Sequence, residues 1–246
     1  MKKLLVLVGC IAATVACAQL AQMLIAVQGS GSGAPTGEIM NWALDEGSGT
    51  TATGTSINGG DTGTHNGDYV TGASGSGFAV NFVAANSDRA TNNTALTFGV
   101  NAISVSMWMY SDATAGVHEW ISTGTGANSF RAFRNGANVF IYAYGDTGAR
   151  AERFVNPTDT NWHHVVIHFD GSTSTGNIAL WVDNSEITAD VIQQNDKTGT
   201  SNFASAVVSV GSSVVPNLYY DGDIDEVKIF DHLIDSTERT DLYENP

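Results

Sequence analysis

Cysteine, proline and basic residues are scarce in this sequence, and each shortage narrows what the protein can be. The chain has 2 cysteines and 4 prolines, and both cysteines, Cys10 and Cys17, lie near the N-terminus. The rest of the chain therefore cannot be a disulfide scaffold, and thiol chemistry is excluded there. Hydrophobic residues make up 42% against 14% charged residues, which is enough apolar material for a full core and excludes global disorder.

The shortage of basic residues leaves a strong negative charge. Lysine and arginine together number 10 against 25 acidic residues, which gives a formal net charge of −15. Such a field repels phosphate backbones and anionic membrane surfaces, so we expect no nucleic-acid partner. The charge is compatible with bound cations, with neutral glycans, or with a role in solubility alone.

The N-terminus has the composition of an export segment. Lys2 and Lys3 precede an uncharged apolar stretch at residues 4–27, and a Gly/Ser-rich stretch follows. We predict a signal peptide or an apolar helical membrane or assembly segment at 1–27, a linker at 28–37 and a domain at 38–246. Cleavage before Gln19, lipidation at Cys17 and retention stay open as alternatives. All three export the domain to the extracellular space or cell surface, and only this segment would contact a membrane.

Alternating apolar and polar residues predict an all-β domain. Short segments with this period-two pattern recur between glycine-rich and asparagine-rich turns, and Asn135-Gly136 is a strong hairpin signal. One short helix is expected near the C-terminus, with Ser236 as its N-cap.

Four segments, taken in order, resemble the laminin-G-like family of the concanavalin A-like lectin/glucanase superfamily. They are Trp42–Ala52, Ile103–Trp108, Trp162–Gly171 with Ala179–Asp183, and Tyr220–Phe230 with Leu233–Glu238. The resemblance implies a two-sheet antiparallel jelly-roll sandwich. It also implies adhesion, carbohydrate binding or an accessory role in larger secreted proteins.

We therefore expect an exported, non-catalytic module that binds carbohydrate or a surface polymer. The alternative is a structural subunit of an extracellular filament, surface layer or virion, in which the partner is another copy of the chain. A glycoside hydrolase is the weakest hypothesis, because the chain has Asp221, Asp223 and Asp225 where related glucanases carry a Glu-x-Asp-x-Glu pattern.

Ligand-binding candidates are aromatic and arginine side chains that we place outside the core. Sugar rings stack on exposed aromatic faces, and arginine donates to hydroxyls. The candidates are Trp120, Arg131, Arg134, Tyr142, Tyr144, Tyr219 and Tyr220.

Calcium is the one cofactor that the sequence suggests. The resemblance implies a structural Ca²⁺ bound by an aspartate of the last strand, which corresponds to Asp225, with Asp45 and Glu46 close by. On one predicted strand, His164 and His168 fall on one side and His163 on the other, and we expect structural roles for them rather than a zinc site.

Overall fold

The computed structural model describes residues 37–55, 62–75, 77–112, 115–156, 159–172, 177–198, 201, 203, 206–213 and 218–246. Segment 1–27 and nearly all of linker 28–37 lie outside these residues, so their predicted boundaries and fates stay predictions. The strands are β1 (Glu38–Trp42), β2 (Thr51–Ala52), β3 (Gly63–His65), β4 (Asp68–Thr71), β5 (Phe78–Phe82), β6 (Ala90–Asn92), β7 (Ala102–Ser111), β8 (Val117–Ser122), β9 (Phe130–Asn135), β10 (Asn138–Tyr144), β11 (Ala149–Val155), β12 (Trp162–Asp170), β13 (Asn177–Val182), β14 (Ser185–Ile187), β15 (Val191–Asn195), β16 (Ser209–Val210) and β17 (Gly222–Phe230).

These strands form two antiparallel sheets. Sheet A has the order β14-β13-β12-β7-β17-β5-β4, and β1 also pairs with β17. Sheet B has the order β15-β11-β10-β9-β8-β16-β6-β3-β2. The prediction of a two-sheet antiparallel sandwich is confirmed.

The core lies between the two sheets, and strand alternation explains how it forms. In β10, Val139, Ile141 and Ala143 are buried while Phe140, Tyr142 and Tyr144 are half-buried on the other face. β7 alternates in the same way, with Ile103, Val105, Met107 and Met109 in the core, whereas the alternation of β17 is interrupted by a register shift between Asp225 and Lys228. Each strand therefore has an inner face in the core and an outer face.

The C-terminal helix α1 (Ser236–Glu244) covers part of the outer face of sheet A. Leu242 packs there with Val166, Trp181, Phe230 and Ile234 in a second apolar cluster. No helix in the described part of the chain is both long and apolar enough to cross a membrane.

The helix begins one residue earlier than the sequence indicated. Asp235, not Ser236, is the N-cap: its carboxylate accepts hydrogen bonds from the main-chain N–H groups of Thr237 (2.7 Å) and Glu238 (3.0 Å). The Glu238 carboxylate in turn accepts from the Asp235 N–H at 2.7 Å. This reciprocal arrangement is a capping box, and it uses a carboxylate where we expected a hydroxyl.

Candidate functional site

Four aromatic side chains follow one another on the outer face of sheet B. They are Phe133 of β9 and Phe140, Tyr142 and Tyr144 of β10, and we call them the aromatic stripe. Their ring centroids lie 5.3 Å (Phe133–Phe140), 5.9 Å (Phe133–Tyr142) and 5.8 Å (Tyr142–Tyr144) apart, with planes within 12–18° of parallel. The rings stack on one another, so Tyr144 stands at one end of the stripe.

Arg131 lies beside the stripe and is held in place by a buried carboxylate. Its guanidinium donates to both oxygens of Glu119, from Nε at 3.0 Å and from Nη2 at 2.6 Å. It also lies 4.4 Å above the ring of Phe133. Burial raises the pKa of the Glu119 carboxyl to about 7, against the opposing effect of Arg131. The Arg131 guanidinium is therefore fixed beside the stripe by a bidentate ion pair with Glu119.

A polar cavity opens where the stripe ends at Tyr144. It has a volume of about 250 Å³ and is lined by Tyr144, Asp146, Gln194 and residues of two short loops, which are Thr125, Gly126, Ala127, Gly145, Thr147 and Gly148. We call it the Tyr144 cavity. One aromatic ring with several carbonyl, hydroxyl and amide groups is a lining that suits a polyhydroxylated ligand.

Three of the predicted binding residues are buried, which corrects their placement outside the core. Trp120 is 1% exposed and Tyr220 is fully buried, with its hydroxyl donating to the Tyr110 carbonyl at 3.0 Å. Arg134 is 1% exposed and donates to the Ser111 hydroxyl at 2.8 Å. None of the three can contact a surface ligand.

The remaining candidates divide into two groups. Arg131, Tyr142 and Tyr144 come together on the outer face of sheet B. Tyr219 is half-buried and forms an isolated bridge with Ser212, in the turn that precedes β17. The structure therefore does not bring Tyr219 into the stripe.

Phe133, Phe140 and Glu119 belong to the site but were not among the candidates. The signal was present for the two phenylalanines, because each is two residues from a candidate on the same strand, Arg131 and Tyr142. No sequence pattern pointed to Glu119. The register of β8 shifts between Glu119 and Ile121, so simple alternation along the strand does not predict which face Glu119 is on.

The predicted calcium ligands lie around the turn between β4 and β5. Asp225 is 5% exposed, and its carboxylate accepts hydrogen bonds from the N–H groups of Ala73 and Glu226, each at 2.9 Å. Asp45 accepts from the Phe78 N–H at 2.7 Å, at the other end of the same turn. Burial, helped by the charges of Glu226 and Asp45, raises the pKa of Asp225 to about 7, against the opposing effect of the hydrogen bonds from the Ala73 and Glu226 N–H groups.

The charge of Asp45 acts on Asp225, so these two carboxylates lie near each other, while Glu46 does not join them. A buried carboxylate beside a second carboxylate is stabilised by a hard cation, and calcium prefers such oxygens together with main-chain carbonyls. The Glu46 oxygens are used elsewhere: they accept from the Thr53 N–H at 2.6 Å and the Tyr69 hydroxyl at 2.8 Å. Among the described residues, no group of three or more His, Cys, Asp and Glu side chains could hold a metal ion.

Two of the three histidines of β12 have hydrogen-bond partners, and the third, His168, packs against the Trp181 ring with the centroids 4.3 Å apart. His164 is buried and hydrogen-bonds the Ser106 hydroxyl through Nε2 at 2.8 Å. His163 bridges two carboxylates, with Nδ1 2.8 Å from Asp183 and Nε2 3.0 Å from Asp159.

The aspartates of β17 do not form a glycosidase pair at the stripe. Asp223 and Asp225 pair with Tyr110 and Trp108 of β7, which places them on the outer face of sheet A, away from the stripe. Asp223 accepts a hydrogen bond from the Asn81 amide at 2.6 Å, and burial raises its pKa.

The two antiparallel sheets define the class of protein as a β-sandwich. A family model described as the concanavalin A-like lectin/glucanases superfamily, Laminin_G_3, matches residues 84–238. The chain belongs to this laminin-G family, and the resemblance inferred from the four sequence segments is confirmed. No curated protein matches the sequence.

Solved structures share the fold at low identity. Domain 4 of AbnA, a GH43 extracellular arabinanase from Geobacillus stearothermophilus in complex with arabinotriose, is 16% identical with a TM-score of 0.60, over 84% of this chain and 98% of that domain. The receptor-binding domain of botulinum neurotoxin mosaic serotype C/D is 14% identical with a TM-score of 0.56, over 85% of this chain and 50% of that one.

A structure of botulinum neurotoxin type C, whose cell entry depends on interaction with two ganglioside molecules, is 10% identical with a TM-score of 0.55, over 85% of this chain and 51% of that one. The chain thus spans about half the length of the neurotoxin chains. At these identities the likeness shows the jelly-roll fold alone, and it is a fold that these binding domains use.

Proposed function

We propose that this chain is a non-catalytic module that binds carbohydrate on the outer face of sheet B. The observation that carries the proposal is the aromatic stripe, which ends at Tyr144 in a polar cavity and has the fixed Arg131 on its flank. An aromatic ring packs against the apolar face of a sugar, while neighbouring polar groups bind its hydroxyls.

The Tyr144 cavity has the groups that a sugar needs. Asp146 supplies carboxylate oxygens, one of which is already oriented by the Asn128 amide at 3.1 Å. Gln194 also lines the cavity: its amide nitrogen already donates to Asp196 at 2.7 Å, and its side-chain oxygen can accept a hydrogen bond from a hydroxyl. A ring at the cavity would therefore meet acceptors, donors and one aromatic face at once.

The similar structures support the ligand class without identifying the ligand. Domain 4 of the arabinanase is in complex with arabinotriose, and neurotoxin type C interacts with gangliosides. Both ligands contain sugar, so we take carbohydrate as the class that this chain binds.

A glycan array followed by calorimetry with the strongest hit tests the proposal. Tyr144→Ala and Asp146→Asn should each weaken binding about tenfold, because each removes one aromatic or charge-assisted contact. Tyr219→Ala is the matched control, since Tyr219 is a half-buried tyrosine outside the stripe. An array without hits, or a loss confined to Tyr219→Ala, would overturn the proposal.

A specific observation favours a second function, a structural subunit that meets its own copies. Strand β15 is an edge of sheet B, contains no charged residue, and exposes Val191 (37%) and Ile192 (54%). Natural edge strands are commonly protected by charges, and β15 is not.

Sedimentation of the mature protein tests this second function. Ile192→Lys should dissociate any oligomer, with Gln193→Asn, which adds no charge to the strand, as a control at the neighbouring exposed position. A protein that stays monomeric at high concentration would remove the second function and leave the first intact.

We also propose that the domain is exported. The apolar composition of residues 4–27 after Lys2 and Lys3 supports this. Mass spectrometry of the native N-terminus tests it: a start at Gln19 indicates cleavage, a lipid on Cys17 indicates anchoring, and Met1 in a cytoplasmic fraction would contradict export.

A structural calcium ion is the last part of the proposal. Asp225 and Asp45 would hold it together with main-chain carbonyls, and the ion would neutralise two carboxylates beside the turn between β4 and β5. Calcium should raise the melting temperature of the native protein and lose this effect in Asp45→Asn. An unchanged melting temperature in EGTA would exclude a stabilising ion.

A further inference from the structure

A second polar cavity lies at the other end of sheet B, where β3 ends and β6 begins. It has a volume of about 380 Å³, and its walls include Thr64, Asn66, Ser87, Arg89 and Thr91. We call it the Arg89 cavity. Its seven lining residues contain one permanent cation, Arg89, and no acid.

Arg89 differs from the other basic residues of the described chain because it is exposed and forms no ion pair with any described residue. Arg131, Arg150, Arg153 and Lys228 each pair with a carboxylate, Arg239 lies over the Trp181 ring, and Arg134 and Lys197 are buried. In a chain with 25 acidic residues, an arginine that faces a cavity without a carboxylate is an available anion-binding group.

The wall that presents Arg89 is rigid. The Asn66 side-chain oxygen accepts from the Arg89 N–H at 2.8 Å, and the Asn66 N–H donates to the Arg89 carbonyl at 3.3 Å. The neighbouring acid, Asp88, is 4% exposed, and its oxygens accept from the Asn66 amide and from the Val83 N–H, each at 3.0 Å. Asp88 therefore has its own partners.

His65 adds no charge to the cavity. It is 3% exposed, its Nδ1 is 3.1 Å from the Gly67 carbonyl, and its Nε2 is 3.0 Å from the Tyr69 hydroxyl. Burial lowers its pKa, so the ring is neutral near neutral pH. The guanidinium of Arg89 is thus the cavity's charged group, and hydroxyl and amide groups surround it.

We propose that the Arg89 cavity binds an anionic sugar residue through its carboxylate or sulfate group. The guanidinium matches the geometry of these anions, while Thr64, Ser87 and Thr91 can bind the ring hydroxyls. That the anion belongs to a sugar rests on the proposed glycan-binding function. The net charge of −15 repels a densely charged polymer, so the ligand is a glycan with sparse anionic residues.

The two cavities lie toward opposite ends of sheet B and are separate sites. Strand pairing sets Thr91, Ser209, Ser122, Arg131 and Tyr142 in one row across the sheet. The row crosses four strand spacings, or about 19 Å at about 4.8 Å each. Ser209 (1% exposed) and Ser122 (0%) in the middle of the row are buried, so each cavity has its own ligand contacts.

Titration of the folded protein with free glucuronate, glucose 6-sulfate and glucose, followed by amide chemical shifts, tests the proposal. We expect the shifts of Thr64 and Thr91 to move with at least one anionic sugar and not with glucose, and the two anionic sugars distinguish carboxylate from sulfate. Arg89→Gln should weaken this binding about tenfold. Arg89→Lys should retain part of it.

Arg153→Gln is the matched control, because Arg153 is an arginine that already pairs with Asp190 at 2.7 Å. Its binding should equal that of the unaltered protein. Equal shifts with glucose, no shifts with either anion, or full binding by Arg89→Gln would overturn the proposal.

The two sites can fail separately. If Arg89→Gln is silent while Tyr144→Ala abolishes binding of a neutral glycan, the anionic site is refuted and the proposed function stands. If glucuronate binding depends on Arg89 while no glycan depends on Tyr144, the stripe is refuted as the binding face.

Discussion

Replacing Arg131 by methionine should cost the folded protein about 3 kcal/mol at about pH 8. The Glu119 side chain is fully buried, and that of Arg131 is 14% exposed. Removing one partner of a buried ion pair costs about 3–5 kcal/mol, because the other charge stays buried without compensation. Methionine keeps most of the apolar stem that packs beside Phe133, so we expect the lower end of this range.

The cost should shrink in acid. Burial raises the pKa of Glu119 to about 7 in the folded protein, above its ordinary value of 4.5. A raised carboxyl pKa means that the stability from Glu119 is fully present below about pH 4.5 and is lost as the pH rises through about 7. Without Arg131 the folded-state pKa rises further, so Glu119 stays neutral at about pH 5 and the variant loses only about 1 kcal/mol there.

Urea denaturation at about pH 5 and about pH 8 measures both values, and a thermal melt at about pH 8 should show a decrease of roughly 6–12 °C. The control is the double variant Glu119→Gln/Arg131→Met, which removes the buried charge and should recover most of the loss. Equal losses at the two pH values, or a double variant as unstable as the single one, would refute the reasoning.

Two further substitutions test the packing of the fold. Gly63→Ala should destabilise the protein by about 1–3 kcal/mol in a urea titration, because the added methyl group would lie 2.5 Å from a ring carbon of Trp42. The control is Gly126→Ala, whose methyl group would meet nothing within 4 Å. Equal losses of stability in the two variants would contradict the steric argument. Tyr220→Phe should cost about 1 kcal/mol by removing the donor to the Tyr110 carbonyl, and an unchanged melting temperature would contradict a stabilising role of this hydrogen bond.

Period-two patterns predicted the strands because successive side chains of a strand point to opposite faces of the sheet. In a sandwich one of these faces is buried in the core, so burial also has a period of two. From Val139 to Tyr144, aliphatic residues alternate with aromatic ones in the sequence, and the aliphatic residues are buried while the aromatic ones are half-buried. The hairpin at Asn135-Gly136 was also predicted, although Asn135 is the last residue of β9 and the turn itself uses Gly136 (φ +57°) and Ala137. Local patterns therefore gave the elements, with small shifts at their ends.

The binding residues were harder to predict because a face is decided by the register of the whole strand. Arg131 and Arg134 are three residues apart on β9, so strict alternation puts them on opposite faces, and only Arg131 is on the outer one. Trp120 could not be placed in this way. The register shift between Glu119 and Ile121 turns Trp120 into the core, and a bulge has no reliable pattern in one sequence.

The C-terminal helix decides which aromatic residues remain available. On sheet A, Trp108 stacks on Tyr243 of the helix at 5.7 Å and 10°, and the ring of Trp181 lies beneath Arg239 at 4.4 Å. These residues are as aromatic as the stripe, but the helix uses their faces. The aromatic stripe of sheet B has no helix of the described chain over it: its rings stack on one another and, at Phe133, under Arg131, and it ends in a cavity. Aromatic content alone therefore does not locate a binding face. The face is located by tertiary packing, because the C-terminal helix covers aromatic rings on sheet A and leaves those of the stripe on sheet B uncovered.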